Sequence, residues 1–488
     1  MRCFKILPLI ILLVILGNSV FAQFSGSNLG EFQYGQLPND TTAVATIYDR
    51  LATSYNVHSF KVRAVFEGFQ TGVTGGDYLN LSQLTLRYKK RPLEIEVGNF
   101  YETIGRGILL RSFEVPGAIL EDISFRSRHY FHRDILGVNA KYRVSNFEAK
   151  LIYGRPLNYV FPPTLEKEKR RPDEITALYA EYTLGKHTLG GAVMTHANED
   201  NQSQYLMVTA NGKLFGKWSY YSEIAKNYSD YKIFDFSKNA SFAFYTNVNY
   251  SIKNFGASFE YKNYKKFVIG AGINEPPAGI KEHTYSVLNR STHVLQPENE
   301  TGFQFELFYT FPDYSILTIN TSQASNVTHT RFNFQEYFVS YDFTAADKID
   351  FKLFIDYAED PFKLEQQRIS LGIQTSWALL RTSEVEIRYE AQQFERLGNT
   401  VQNHVFGLGY NFSTKLSANI LGEYSSDPFL SEDETETWLG GGLRYKLDRK
   451  NSLQAFVGSR RGGPACQAGV CYEVLDFNGV ELRFTSRF

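Results

Sequence analysis

The chain has 488 residues, 43% of them hydrophobic and 15% aromatic, and its formal net charge is −1. A near-neutral charge excludes a broad basic surface, so we expect no nucleic-acid partner. The mean hydropathy of −0.30, with no apolar stretch of about 20 residues after the N-terminal region, excludes a bundle of membrane-spanning helices. An aromatic-rich chain of ordinary hydropathy is instead typical of a membrane β-barrel, because each strand turns half of its residues to a polar lumen.

The N-terminus has the pattern of a secretory signal peptide. Two basic residues, Arg2 and Lys5, precede an apolar run and a small-residue cleavage site that ends at Ala22. The apolar run is too short, and too close to the cleavage site, for a membrane helix. We therefore predict a signal peptide over residues 1–22 and a mature domain over residues 23–488.

The mature chain alternates apolar and polar residues with a period of two, which is typical of strands with two unlike faces. Around the turn at Ser145, Tyr142 and Leu151 fall on one face, whereas Lys141 and Lys150 fall on the other. Tight turns alternate with longer polar connections, as in barrels with short periplasmic turns and long outer loops. The pattern predicts an all-β fold: a single transmembrane antiparallel β-barrel of about 24 strands, within about 20 to 26, without a separate plug domain.

Two long connections, residues 101–134 and 265–301, are the candidates to occupy the lumen. A barrel of more than about 16 strands leaves a channel unless something fills it. We expect the lumen to be polar and without an apolar lining, because the strand residues that alternate with the apolar face are largely charged. They include Arg87, Glu94, Lys141, Arg143, Glu384, Glu386 and Arg388.

The first connection carries the residues that we expect to control passage. Arg106 and Arg111, balanced by Glu102 and Glu114, are predicted to form a constriction that selects what passes. The alternative is a structural plug, in which the same arginines pair with carboxylates of the lumen. The sequence leaves both interpretations open.

Two cysteines remain after removal of the signal peptide, Cys466 and Cys471. In an oxidising compartment such a pair predicts a disulfide that closes a small loop. Without a neighbouring His the pair is a poor zinc site, and a redox-active pair is more typically spaced C-x-x-C, so dithiol chemistry is the less favoured alternative. We expect neither a metal nor a cofactor.

The last nine residues, Val480 to Phe488, alternate an apolar and a charged face and end on an aromatic residue. A terminal strand of this kind is typical of outer-membrane barrels. We expect the outer-membrane assembly machinery to recognise it. The predicted location is integral to the cell outer membrane, in contact with lipid and lipopolysaccharide, with both termini in the periplasm.

Two motifs resemble those of an uncharacterised outer-membrane β-barrel family of Bacteroidota. They are GNFYETIGRGILLRS at residues 98–112 and GSRRGGPACQAGVC at residues 458–471. With the terminal strand, the resemblance extends over nearly the whole mature chain. It implies an outer-membrane barrel and no established activity.

The sequence contains no Ser-elbow motif, metal-ligand spacing or phosphate-binding glycine loop, so we predict that the protein is not an enzyme. The favoured function is a channel or transporter for small polar solutes, with residues 101–134 as constriction or plug. The alternative is a non-conducting scaffold or docking protein. It would bind a surface or periplasmic protein of a secretion or surface-protein assembly through its extracellular loops.

Overall fold

In the computed structural model, twenty-four antiparallel strands form one closed sheet. The structure describes residues 23–36, 42–72, 75–122, 127–158, 162–199, 201–229, 240–327, 331–346, 348–430, 435–467 and 470–488. The signal peptide predicted at residues 1–22 lies outside these ranges.

The barrel strands, in chain order, are β1 (Phe24–Gln36), β2 (Val44–Val57), β3 (Phe60–Thr71), β4 (Tyr78–Lys90), β5 (Leu93–Phe100), β10 (Ile135–Val144), β11 (Phe147–Pro156), β12 (Glu174–Leu184), β13 (His187–Ala197), β14 (Gln202–Leu214), β15 (Trp218–Asn227), β16 (Phe242–Ile252), β17 (Phe255–Lys265), β18 (Asn299–Thr310), β19 (Ile316–Val327), β20 (Arg331–Ala345), β21 (Ile349–Asp360), β22 (Glu365–Leu380), β23 (Ser383–Arg396), β24 (Asn399–Asn411), β25 (Leu416–Ser425), β26 (Glu436–Lys446), β27 (Ser452–Arg460) and β30 (Phe477–Arg487).

The remaining elements lie in connections between barrel strands. They are β6 (Thr103–Ile104), β7 (Leu110–Arg111), β8 (Phe113–Asp122), β9 (Ser127–Arg133), β28 (Gly463–Gln467), β29 (Val470–Val474), the helix α1 (Ser286–Arg290) and a short 3-10 helix (Lys167–Lys169). Among the described residues, no helix is long and apolar enough to cross a membrane.

The barrel closes between its first and last strands. β1 pairs with β2 on one side and with β30 on the other, so the sheet has no free edge. At the seam, the N–H of Gly26 donates to the carbonyl of Phe488 at 2.9 Å, and the N–H of Phe488 donates back at 3.0 Å. The predicted all-β barrel of about 24 strands is therefore confirmed.

The two ends of the barrel carry different connections. At the end that holds both termini of the described chain, the turns are short, such as those at 145–146 and 253–254. We call this the termini end. The opposite end, the loop end, carries longer insertions, and we call three of them, residues 101–134, 266–298 and 461–476, the first, second and third lumen segments.

The strand faces follow the predicted alternation. On β11, Leu151 and Tyr153 are 49% and 44% exposed, whereas Ile152 between them is fully buried. The register pairs Lys141 with Lys150, so both lysines lie on the inner face. Apolar side chains on the outside suit a hydrocarbon environment, and the inner face meets the lumen segments.

Candidate functional site

The first lumen segment turns sharply at its tip. Thr103 on β6 pairs with Arg111 on β7, and the tip lies between them. Gly107 there has φ +99°, and a Cβ at this position would lie 2.4 Å from the backbone oxygen of Glu275 in the second lumen segment. Only glycine fits both the backbone angle and the approach. The two segments are also joined by the N–H of Glu275, which donates to the Gly107 carbonyl at 3.1 Å.

A carboxylate of the barrel wall holds this tip. Glu223, on β15, accepts the backbone N–H of Arg106 at 3.0 Å and the hydroxyl of Tyr221 at 2.7 Å. The Arg106 guanidinium lies over the Tyr221 ring, 4.9 Å from its centroid. The tip is thus fixed to the wall through its backbone, while the arginine side chain stays exposed.

An apolar cluster lies inside the loop-end half of the barrel, beside β10–β17, where we expected no apolar lining. From the first segment, Ile104, Ile108, Leu109 and Leu110 are essentially fully buried. They pack with side chains of the second segment and of the inner wall: Phe267, Ile269, Ile273, Ile152, Ile175, Met194 and Met207. Complete burial of an Ile or Leu stabilises by about 1.5–3 kcal/mol. The expectation was wrong because, near the loop end, these strands are apolar on both faces.

Glu102 binds the wall rather than the predicted arginines. Its carboxylate lies 2.5 Å from Nζ of Lys141 and 3.2 Å from Nζ of Lys150, and it also accepts Nδ2 of Asn139 at 3.1 Å. Burial alone would raise the pKa of Glu102, but Lys150 and Lys141 outweigh it and lower that pKa below its usual value. Glu102 therefore ties the start of the first segment to β10 and β11.

Glu114 also lies apart from the two predicted arginines. Its carboxylate receives the Arg50 guanidinium at 3.2 Å, which connects β8 to β2. Arg106 and Arg111 do line one cavity together. The structure thus brings together the two predicted cations and gives the two predicted carboxylates anchoring partners on the wall.

A buried ion pair anchors the end of the first segment. Asp134 lies 2.7 Å from Nη1 of Arg170, and neither side chain is accessible to solvent. Gln83 and Asn99 donate to the same carboxylate at 2.8 Å and 2.9 Å. Burial alone would raise the pKa of Asp134, but Arg170 and His132 hold it well below its usual value. Every oxygen of this buried carboxylate is satisfied, as a buried charge requires.

The second lumen segment binds the opposite wall through α1. The N–H of Val287 donates to the Glu390 carboxylate on β23 at 3.0 Å. Arg290, at the end of α1, donates to Glu423 on β25 at 3.0 Å. The two segments therefore contact strands on different sides of the barrel and meet each other between them.

The third lumen segment contacts both of the others. Its hairpin, β28 and β29, packs against α1 and β8. Cys466 lies directly opposite Cys471 in this hairpin. The side chains of both cysteines lie outside the described part of the chain, so the disulfide stays a prediction.

The termini-end half of the lumen is more open. On β23, Glu390 and Gln392 near the loop end are buried, whereas Glu386 and Arg388 nearer the termini end are half-exposed. A polar cavity of about 500 Å³ lies along this wall; it is bordered by Glu386, Asn419, Arg444, Gln454, Glu481 and Arg483. The barrel thus has a charged vestibule at its termini end and holds its lumen segments at its loop end.

A closed barrel of 24 strands defines the class: by fold, the chain is similar to the outer-membrane β-barrels. The chain belongs to a family of unknown function, DUF6029, whose model matches residues 44–488. No curated protein matches it significantly.

Three solved structures show the extent of the similarity. The translocation pore of the P pilus usher PapC is 11% identical, with a TM-score of 0.50, over 95% of this chain and 99% of that one. The siderophore receptor PirA from Pseudomonas aeruginosa is 8% identical, with a TM-score of 0.45, over 96% and 81%. OccK9 from Pseudomonas aeruginosa is 11% identical, with a TM-score of 0.40, over 69% and 93%. At an identity this low, the similarity to the usher pore concerns the fold alone.

Three residues of this site escaped the sequence analysis: Glu223, Glu275 and Arg170. Each meets the first lumen segment from a distant part of the chain, and Glu223 is 117 positions from Arg106. In the sequence, a glutamate on the inner face of a strand fits the same alternating pattern whether its carboxylate borders water or binds a lumen segment. The Asp134 partner, Arg170, stands in a mixed-charge run that is typical of a solvated loop.

Proposed function

We propose that the protein is an outer-membrane transporter for small polar solutes that is closed at rest by its lumen segments. The observation that carries this proposal is the bridging of the lumen. The tip of the first segment is bound to Glu223 on β15, and α1 of the second is bound to Glu390 on β23. A barrel of this width needs such a filling to avoid an open pore.

The proposed orientation puts the termini end in the periplasm and the loop end outside the cell. Short turns at one end and long loops at the other support it, because outer-membrane barrels have this asymmetry. The outer apolar band would face lipid, and the long loops would face lipopolysaccharide. In this proposal the assembly machinery recognises the last strand together with Phe488, which follows it and stacks on Phe24 at 5.9 Å between ring centroids.

Arg106 and Arg111 remain the proposed selective residues of the passage. Both line a cavity that runs beside the lumen segments, and Arg106 is exposed there. In this proposal Glu102 and Glu114 act differently: they hold the first segment on the wall through Lys141 and Arg50. In this proposal the first segment combines the two predicted roles. Its contacts with the wall hold it as a plug, and its arginines form the constriction.

The disulfide is proposed to fix the third segment. Directly opposed residues of an antiparallel pair have Cα atoms about 4.5–5.5 Å apart, which lies within the span of about 4.4–6.8 Å that disulfides bridge. Cys466 and Cys471 are such a pair. A bridged hairpin would remain folded between α1 and β8.

Solute flux into liposomes tests the proposal. Wild-type protein should admit little, and a Glu223→Ala variant should admit small neutral sugars and amino acids but exclude a polymeric dextran. A matched Glu386→Ala variant, altered in the vestibule, should behave as wild type. If both the wild type and Glu223→Ala exclude every solute, the transport proposal fails, and the scaffold function becomes the better account.

A further inference from the structure

A cavity of about 1060 Å³ opens among the lumen segments. It lies between the first and second segments and the inner wall at β16–β18, and it extends along β18 from Pro297, before the strand, to Glu306, beyond its middle. Binding sites for small organic molecules are of this size, about 300–1,000 Å³. Its charged lining residues are Arg106, Arg111, Arg133, Glu260, Glu275, Lys281, Glu282 and Glu306.

Several of these charges already have partners. Lys281 forms an ion pair with Glu306. Arg133 lies 3.5 Å from Glu275 and donates to the carbonyl of Gly272 at 2.6 Å. These groups line the cavity, but a ligand could bind them only by breaking the ion pairs and the hydrogen bond that they already form.

Arg106 offers a cation at one side of the cavity. Its side chain is exposed and lies over the Tyr221 ring, and no ion pair joins its guanidinium to a carboxylate of the described residues. The neighbouring carboxylate, Glu223, is engaged by the Arg106 backbone N–H and by the Tyr221 hydroxyl. The planar guanidinium is therefore available for a ligand carboxylate, which it can bind through two parallel hydrogen bonds.

Glu260 offers an anion on the wall of the same cavity. It accepts the Tyr245 hydroxyl at 2.8 Å and Nδ2 of Asn247 at 3.3 Å, both neutral donors. Its neighbour on the same face, Lys262, forms its ion pair with Glu300. Within the described chain, no cation lies at ion-pair distance from Glu260.

We propose that this cavity binds a small zwitterion, a short peptide with a free carboxylate and a free ammonium group. The carboxylate would bind Arg106, and the ammonium group would bind Glu260. Both side chains line the cavity, which is larger than a single amino acid requires. A ligand with only a negative charge would place that charge near the Glu260 carboxylate. A ligand with only a positive charge would place that charge near the Arg106 guanidinium. The inference rests on the proposed transport function, because it names the class of solute.

Calorimetry on the purified full chain in detergent tests the site with three probes: trialanine, N-acetyl-trialanine and trialanine amide. Wild-type protein should bind trialanine at least tenfold more tightly than either blocked form. Arg106→Gln should weaken binding of trialanine and of the N-acetyl form but leave the amide unchanged. Glu260→Gln should weaken binding of trialanine and of the amide but leave the N-acetyl form unchanged. Arg381→Gln, at a termini-end turn, is the control and should leave the binding of all three probes unchanged.

The inference is overturned if the wild type binds no trialanine, or binds all three probes equally. It is also overturned if either variant weakens all three probes by the same factor. The wild-type comparison decides even if a variant fails to fold. If trialanine binds but neither the wild type nor Glu223→Ala admits any solute, the transport proposal fails and the binding site stands. If Glu223→Ala admits sugars but trialanine does not bind, the binding site fails and the transport proposal stands.

Discussion

The carboxylate of Glu223 holds the backbone N–H of Arg106 at 3.0 Å, across 117 positions of sequence. The bond joins the inner wall of the barrel to the tip of the first lumen segment. Because it is made to the backbone, it fixes the position of the tip and leaves the Arg106 side chain exposed in the cavity.

Loss of this anchor should open the passage. Glu223→Ala removes the acceptor of the Arg106 N–H, a hydrogen bond worth about 0.5–1.5 kcal/mol, so we expect open events in a planar bilayer to become several-fold more frequent. Glu386→Ala is the control, because Glu386 lies on the inner wall in the vestibule. Equal open frequencies in Glu223→Ala and wild type would contradict the anchoring role.

Gly107→Ala should displace the tip by a steric route. Its Cβ would meet the Glu275 backbone oxygen at 2.4 Å, whereas a Cβ at Gly117, which also has a positive φ, would meet nothing within 4 Å. Both substitutions strain the backbone, but only the first forces atoms apart. We expect trypsin to cleave after Arg106 several-fold faster in folded Gly107→Ala than in Gly117→Ala. Identical cleavage rates would show that the close approach to Glu275 does not position the tip.

The buried pair of Asp134 and Arg170 should dominate the stability of the first segment. Arg170→Ala leaves a buried carboxylate without its cation, which costs about 3–5 kcal/mol. Lys169→Ala removes the half-exposed partner of Glu166 and should cost at most about 1 kcal/mol. The free energy of unfolding in urea measures both. A loss below about 1 kcal/mol for Arg170→Ala would contradict the anchor.

His293 should make the second segment sensitive to pH. It is buried 3.1 Å from Asp360 and 3.4 Å from Glu300, which also pairs with Lys262, and it stacks on Phe334. Burial alone would lower the pKa of His293, but the hydrogen bonds to Asp360 and Glu300 outweigh it and raise that pKa above its usual value.

A raised folded-state pKa means that the protonated histidine stabilises the fold. This contribution is complete below the unfolded value of about 6.5 and is lost as the pH rises through the higher folded value. We expect the wild type to lose more thermal stability between pH 6 and pH 9 than His293→Gln does. An equal loss in both proteins would refute the role of His293.

The cysteine pair should be oxidised in protein taken from outer membranes. Alkylation without reductant should leave both thiols unmodified, and alkylation after reduction should add two groups to the peptide that spans residues 463–474. For a loop of this length the disulfide stabilises by about 2 kcal/mol. Full alkylation without reductant would exclude the disulfide.

The barrel could be predicted from the sequence, and the interior of its loop-end half could not. Alternation such as Lys150, Leu151, Ile152 and Tyr153 identifies the face that meets lipid, because lipid tolerates no charge on that face. The inner face has no such constraint: Ile152 packs in the apolar cluster, whereas Lys150 pairs with Glu102. What an inner residue meets depends on which lumen segment lies against it.

The sequence marks the first lumen segment as a candidate to occupy the lumen, but it does not predict the contacts of that segment. A connection of this length is uncommon between neighbouring strands, but nothing in its sequence identifies the partners of the turn at Gly107. The partners of that turn, Glu223 and Glu275, come from a wall strand and from another insertion. Such contacts form only when the closed barrel brings distant parts of the chain together. An alternation of period two predicts the faces of a strand but not these long-range partners.

The central claim is that the lumen segments close the barrel at rest. Single-channel conductance in a planar bilayer tests it most directly, with wild-type protein beside a variant in which a short glycine-serine linker replaces residues 103–132. The replaced residues lie between β5 and β10, so the barrel strands themselves are unchanged. The account predicts a silent wild type and large, stable conductance steps in the variant. A wild type that conducts as much as the variant would contradict it.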